Sequence, residues 1–207
     1  MRAVIFDCDG TLVDSEPLAR TAWERALAVH GYALTDADAD ASVGLPYPRV
    51  HAYYAERVEL PAAEPFWGEF SGELFALIDS ELAPFDDAVE AARELRRRGI
   101  PVAVASSSPR DRLDRTLSRA GLLDAFDVVV AGDEVTNGKP APDMFLLAAE
   151  RLGVPPEQCI VIEDSPPGVQ AGVAAGMHTI GVARTEAKLA GADRVVDFLT
   201  ADLILAT

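Results

Sequence analysis

Lysine and cysteine are scarce in this sequence of 207 residues, and positive charge as a whole is in deficit. Lysine occurs only at Lys139 and Lys188, cysteine only at Cys8 and Cys159, and the formal net charge is −16. Two cysteines do not make a disulfide framework, and we expect both to be small buried residues. The negative charge disfavours binding to nucleic acid or an anionic membrane, although a bound cation would still admit an anionic substrate.

Long apolar runs are also missing. No stretch approaches the roughly 20 apolar residues that a membrane-spanning helix requires. The N-terminus starts directly on an apolar strand and lacks the layout of a signal peptide, so a cytoplasmic location is expected. The length suits one large domain, or a core domain with a smaller companion.

Short apolar runs rich in β-branched residues recur along the chain and predict strands buried on both faces of a parallel sheet. The predicted strands cover residues 3–6, 102–105, 128–131, 160–162, 179–182 and 194–196. Helical periodicity lies between them, in segments that begin at Asp86, Pro109, Pro142 and Pro166. This alternation predicts an α/β fold with a doubly wound, Rossmann-like parallel sheet.

Residues 15–84 interrupt the alternation, because they contain no run that is typical of a strand. Their patterns predict helices at residues 18–29, 50–58 and 65–77. We therefore predict a core domain of residues 1–14 and 85–207 that carries the catalytic site. An all-helical cap domain of residues 15–84 would be inserted into it.

Chemically active side chains follow four predicted strands, at the sheet edge where ligands bind in open parallel sheets. They are Asp7 and Asp9, then Ser106 and Ser107, then Lys139, and finally Glu163 and Asp164. Each signal alone is more often a loop or cap residue, and Ser108 before Pro109 is typical of a helix N-cap. Four such signals at four strand ends indicate a shared site.

Phosphoryl transfer to a carboxylate needs these residue types. Carboxylate oxygens from Asp7 and Asp164 suit Mg²⁺. Asp7 is a candidate nucleophile that would form an aspartyl-phosphate. Asp9 is a candidate acid and base that would protonate the leaving alcohol and then deprotonate water. Lys139, with the hydroxyls that follow the second strand, would hold the phosphoryl oxygens.

In these motifs the chain resembles the haloacid dehalogenase superfamily, in the phosphatase and β-phosphoglucomutase-like branch of subfamily I, whose members have a helical cap. Residues 7–11 match its Asp-x-Asp-Gly-Thr motif, Ser106 its second motif, residues 138–143 its Gly-Lys-Pro-x-Pro-Asp motif, and residues 163–165 its acidic motif. The resemblance implies that Asp7 is nucleophile and Mg²⁺ ligand, and that Asp9 is acid and base with its backbone carbonyl on the metal. It also implies that Glu163 and Asp164 complete the metal site, and that Ser106 and Lys139 bind the phosphoryl group.

Differences between this chain and particular members of the superfamily disfavour two of the activities found there. Asp9 argues against dehalogenation, because the dehalogenases lack the second aspartate of the first motif. β-Phosphoglucomutases carry a histidine where Ala19 stands and basic residues where Val43 and Tyr47 stand. The resemblance therefore favours a magnesium-dependent phosphatase of a small phosphate monoester, of the sugar-phosphate or phosphoglycolate type. A phosphomutase and a non-catalytic partner-binding protein stay open as alternatives.

The predicted cap is expected to choose the substrate. Its candidate substrate residues are Arg20, Gly44 and Arg49, although both arginines are also typical of surface charges. The expected partner is a small phosphorylated metabolite, bound by a monomer or weak dimer, without nucleic acid or membrane.

Overall fold

The computed structural model of the protein describes residues 2–42, 47–185 and 187–206, apart from the side chains of Asp40 and Ser42. Its strands are β1 (Ala3–Phe6), β2 (Val13–Asp14), β3 (Ala83–Pro84), β4 (Val102–Ala105), β5 (Val128–Val130), β6 (Cys159–Glu163), β7 (His178–Val182) and β8 (Arg194–Val196). Its α-helices are α1 (Glu16–Val29), α2 (Asp36–Ser42), α3 (Tyr47–Ala55), α4 (Ala63–Glu81), α5 (Asp86–Arg97), α6 (Arg110–Arg119), α7 (Asp143–Leu152), α8 (Pro166–Ala174) and α9 (Ala201–Leu205).

The chain divides into two compact units. One consists of Met1–Asp14 with Ala83–Thr207, and the other of Ser15–Leu82. The second boundary lies two residues before the predicted one, because β3 pairs with β2 in the first unit. Backbone hydrogen bonding between these two-residue strands leaves no apolar pattern, so the sequence could not reveal it.

The first unit contains the predicted parallel sheet. Within the described residues six strands form it, in the order β5-β4-β1-β6-β7-β8. All residues of β1 and β4 are buried, which explains their unbroken apolar sequences. The sheet is flanked by helices, consistent with the predicted Rossmann-like class. Because strand order reverses around β1, the carboxyl ends of β1, β4 and β6 meet at the ligand-binding edge of the sheet.

The core beneath that edge is made of small and branched side chains. Ile5, Ala103 and Val161 lie in the sheet and pack with Phe145 of α7 and Ala171 of α8. Both cysteines are buried free thiols. In the part of the chain that the structure describes, no helix is both long and apolar enough to cross a membrane.

The second unit consists of helices α1–α4. Trp23 of α1 stacks on Phe70 of α4 with ring centroids 4.4 Å apart, in an aromatic core. The Asp38 carboxylate accepts hydrogen bonds from the hydroxyls of Thr35 (2.6 Å), Tyr32 (2.9 Å) and Tyr53 (2.9 Å). The Thr35 bond is the main reason why the pKa of Asp38 falls to about 2. These polar contacts fasten α2, which the sequence analysis did not predict.

Candidate active site

Three carboxylates gather at the carboxyl ends of β1 and β6. Asp7 follows β1, Glu163 is the last residue of β6, and Asp164 follows it. Within the described part of the chain, one oxygen of each can be chosen so that all lie within 4.8 Å of one another. The two strands are parallel neighbours, so their ends bring these side chains to one place.

Lys139 supplies a cation to this carboxylate group. It lies in the loop before α7, and its ammonium contacts Asp7 Oδ1 and donates to Glu163 Oε1 at 2.7 Å. The Lys139 and Glu163 side chains are 7% and 1% exposed, so water screens this pair little. Phe145 lies under the ammonium, 5.1 Å from its ring centroid.

The charges of this group are not balanced by Lys139 alone. Burial raises the pKa of Asp7 well above its usual value, and the nearby Glu163 and Asp164 add to the rise. Burial and the Glu163 charge raise the pKa of Asp164 to about 7. Burial alone would lower the pKa of Lys139, but Asp7 and Glu163 outweigh it and the net shift is upward. The group therefore has the carboxylate oxygens and the excess negative charge that suit a hard divalent cation.

Hydroxyl and amide donors fix two of the three carboxylates. Thr11 Oγ1 donates to Asp164 Oδ1 at 3.0 Å. The Ser165 amide and hydroxyl donate to Glu163 Oε2 at 2.8 and 2.9 Å. The Ser165 hydroxyl also caps α8 by accepting from the Gly168 amide at 3.2 Å. Such donors orient the carboxylates before any ligand arrives.

Two glycines have no Cβ, and the space that a Cβ would fill is occupied by two of these carboxylates. Gly10 has a φ of +83°, and a Cβ there would collide with the Asp164 carboxylate. A Cβ at Gly168 would collide with the Glu163 carboxylate. Gly10 of the first motif and Gly168, three residues after the acidic motif, thus allow close approach of backbone to the acidic group.

Asp9 faces the other side of the site, toward the end of β4. Its Oδ2 accepts from the hydroxyls of Ser106 (3.2 Å) and Ser108 (2.8 Å), and its Oδ1 accepts from Arg112 Nη2 (2.8 Å). The close group of three carboxylates does not include Asp9. The two aspartates of the first motif therefore have separate partners and can have separate roles.

Comparison with known proteins identifies the family of this site. The model of the haloacid dehalogenase-like hydrolase family matches residues 1–176. The chain belongs to this family. It is an enzyme, a hydrolase of phosphoric monoesters, as the sequence analysis predicted.

Relatives include named phosphatases and a mutase. The chain is 38% identical to a phosphorylated carbohydrates phosphatase of Thermotoga maritima, covering 87% of this chain and 84% of the relative. It is 37% identical to the fructose-1-phosphate phosphatase YqaB of Escherichia coli, covering 86% and 95%. The structure resembles a β-phosphoglucomutase of Clostridium difficile, with a TM-score of 0.82, 25% identity, and coverage of 98% and 93%. Two relatives from Arabidopsis thaliana are much longer, and the chain spans 18% and 48% of their lengths.

Two residues of this hydrolase site were missed or misread from sequence. The N-cap interpretation of Ser108 was wrong, since Pro109 is the N-cap of α6 and the Ser108 hydroxyl donates to Asp9. Arg112 was not singled out. The sequence feature that could have indicated Arg112 is its helical spacing. It lies four residues before the buried Thr116 and therefore on the same face of α6.

The remaining residues that the sequence analysis predicted for the site differ in burial and in their contacts. Ser106 is buried beside Asp9, whereas Ser107 is exposed. Within the helical unit, the exposed Arg20 pairs with Glu24 and Asp36, and Arg49 is exposed on α3. The predicted substrate residue Gly44 lies outside the described residues.

Proposed function

We propose that this hydrolase is a Mg²⁺-dependent phosphatase that acts on a small phosphorylated metabolite through an aspartyl-phosphate at Asp7. The observation that carries the proposal is the meeting of Asp7, Lys139, Glu163 and Asp164 at one sheet edge. The names of the two related phosphatases support a sugar phosphate as the substrate, and a phosphoglycolate-type ester is the second candidate.

Mg²⁺ fits the donor set. Asp7 and Asp164 would hold it, with Glu163 and the Asp9 backbone carbonyl as further oxygen donors. Burial, together with the neighbouring carboxylates, raises the pKa values of Asp7 and Asp164, so a cation bound here would offset the cost of their ionised forms. When bound, Mg²⁺ supplies charge that screens the carboxylates and stabilises phosphoryl oxygens.

The residues divide the reaction into two steps. An oxygen of Asp7 attacks phosphorus, the bond from phosphorus to the ester oxygen breaks, and Asp9 gives that oxygen a proton. Water then attacks the aspartyl-phosphate, Asp9 takes the proton, and the bond to Asp7 breaks to release phosphate. Lys139, Ser106 and the segment at Ser107 would hold the phosphoryl oxygens during both steps.

A phosphomutase is the second candidate, favoured by the likeness to a β-phosphoglucomutase. A mutase must bind a second phosphate, and Ala19 and Tyr47 stand where related mutases have a histidine and a basic residue. Hydrolysis is therefore the stronger proposal.

We extend the proposal to the helical unit, as a cap in which Arg20, Gly44 and Arg49 contact the organic part of the ester. Substituting either arginine with alanine would then raise KM for the preferred ester. Unchanged kinetics in both variants would assign the arginines to the surface and remove them from the site.

The test is phosphate release from a panel of sugar phosphates, phosphoglycolate and other monoesters, with Mg²⁺ or with chelator. We expect release that requires Mg²⁺ and is lost in Asp7→Asn, while Asp124→Asn, at an exposed position in the same unit, keeps activity. A parallel incubation with a sugar monophosphate and a catalytic amount of its bisphosphate tests the mutase. Isomer formation without phosphate release would favour the mutase, and neither reaction would contradict both candidates.

A further inference from the structure

Arg112 reaches from α6 to the carboxylate of Asp9. Its Nη2 donates to Asp9 Oδ1 at 2.8 Å, and the two side chains are 17% and 20% exposed. The Arg112 Nε is buried and has no hydrogen-bond partner among the residues that the structure describes. A mostly buried guanidinium with an unsatisfied donor is costly to keep, and such costs are typical of functional sites.

The opposite oxygen of Asp9 is held as well. Ser108 Oγ donates to Oδ2 at 2.8 Å, and Ser106 Oγ donates to the same oxygen at 3.2 Å. Donors on both oxygens fix the rotation of a carboxylate, which one donor cannot do. Ser106 is also a proposed phosphate ligand, so Arg112 and Ser108 are the contacts that would remain if Ser106 turned to the substrate.

We propose that Arg112 is a positioning residue, which aims the carboxyl group of Asp9 so that its protonated form can pass the proton to the leaving alcohol. This inference rests on the proposed function, since it assigns no role unless Asp9 serves as the acid. Arginine suits the task because its guanidinium is planar and always charged. Small misplacements of a catalytic group reduce the rate strongly, so the effect of Arg112 should appear in kcat rather than in KM.

Substrates with different leaving groups can distinguish the positioning of Asp9 from other roles of Arg112. An alkyl alcohol needs a proton as it departs, whereas p-nitrophenolate departs readily without one. The ratio kcat/KM reports the steps up to the first phosphoryl transfer and so isolates this proton. For Arg112→Met we expect about a tenfold loss of kcat/KM with the best alkyl ester, part of the 10²–10⁴ that acid–base catalysis contributes. With p-nitrophenyl phosphate we expect a loss of no more than about threefold.

Three further variants make the test specific. Arg119→Met removes the same charge from an exposed position on α6, and both esters should be hydrolysed as by the unsubstituted enzyme. Arg112→Lys retains a charged donor and should recover part of the alkyl-ester activity. In an Asp9→Asn background, adding Arg112→Met should cause no further loss with the alkyl ester, because the two residues act as one unit.

Each of the other outcomes would overturn either the positioning role of Arg112 or the proposed function. Equal losses with both esters, or no loss, would overturn the positioning role while leaving the phosphatase proposal in place. A further loss in the Asp9→Asn background would show that Arg112 acts on the substrate directly. If the unsubstituted enzyme with Mg²⁺ hydrolyses neither ester nor any metabolite of the panel, the proposed function fails and this inference fails with it. Thermal denaturation of each variant separates these outcomes from misfolding.

Discussion

The partly buried charge of Asp164 is predicted to reduce folding stability when no metal is bound. Its pKa rises from 3.8 to about 7, mainly through burial and the Glu163 charge. About three pKa units at about 1.4 kcal/mol each set a ceiling of about 4 kcal/mol. Because Asp164 is only partly buried, we expect Asp164→Asn to stabilise the metal-free protein by about 2 kcal/mol at pH 8. The asparagine can still accept the Thr11 hydrogen bond.

The pH dependence follows from the direction of this shift. A carboxyl whose pKa is higher in the folded state binds its proton more tightly when folded. The cost of Asp164 is therefore present above its folded pKa of about 7 and disappears as the pH falls toward 3.8. In chelator, the unsubstituted protein should gain stability between pH 8 and pH 5, and Asp164→Asn should gain less. Asp7 retains a shift in the same direction, so some gain should persist.

Thermal denaturation in chelator at pH 8 and pH 5 measures these differences. A stabilisation of about 2 kcal/mol corresponds to a rise in Tm of about 4–8 °C for a protein of this size. The control is Asp124→Asn, at an exposed position in the same unit. Excess Mg²⁺ should reverse the order, because the unsubstituted protein keeps the Asp164 ligand and should be stabilised more by the metal. The reasoning is refuted if Asp164→Asn is no more stable than the unsubstituted protein at pH 8 and keeps its full pH dependence.

Two further substitutions test the packing of each unit. Gly168→Ala should destabilise the protein by about 1–3 kcal/mol, because the added Cβ would meet the Glu163 carboxylate. The control Gly72→Ala has open space around its Cβ and should not destabilise the protein. If Gly168→Ala has the same Tm as the unsubstituted protein, the close approach is refuted. Asp38→Ala should destabilise the helical unit at pH 7 and remove the stability loss that the lowered pKa predicts between about pH 4 and about pH 2. Both tryptophans lie in that unit, so their fluorescence measures the change, and an unaltered acid transition would contradict it.

Hydrophobic patterning predicted the sheet well because its central strands, β1, β4 and β6, are buried on both faces. Residues 102–105 form β4 as expected, since burial on both sides demands a continuous apolar run. Helix α2 was not predicted because its sequence DADADAS has no apolar stripe. It is fastened instead by hydrogen bonds to the Asp38 carboxylate, which depend on partners from other segments.

The sequence predicted those residues of the candidate site whose positions are determined by the ends of strands. Asp7, Glu163 and Asp164 lie at the ends of adjacent parallel strands, so topology alone brings their side chains together. The direction of the Asp9 side chain depends on donors in α6 and the loop before it. Helical spacing places Arg112 on the same face of α6 as the buried Thr116, but it does not show that the guanidinium reaches Asp9.

The central claim, that Asp7 carries the phosphoryl group, can be tested by trapping the intermediate. The enzyme would be mixed with its best ester and Mg²⁺, quenched in acid within one turnover, digested, and examined by mass spectrometry. We predict one added phosphoryl group on the peptide that contains Asp7, absent in chelator and in Asp7→Asn. Mg²⁺-dependent turnover that persists in Asp7→Asn, with no phosphorylated peptide at any time point, would contradict the account.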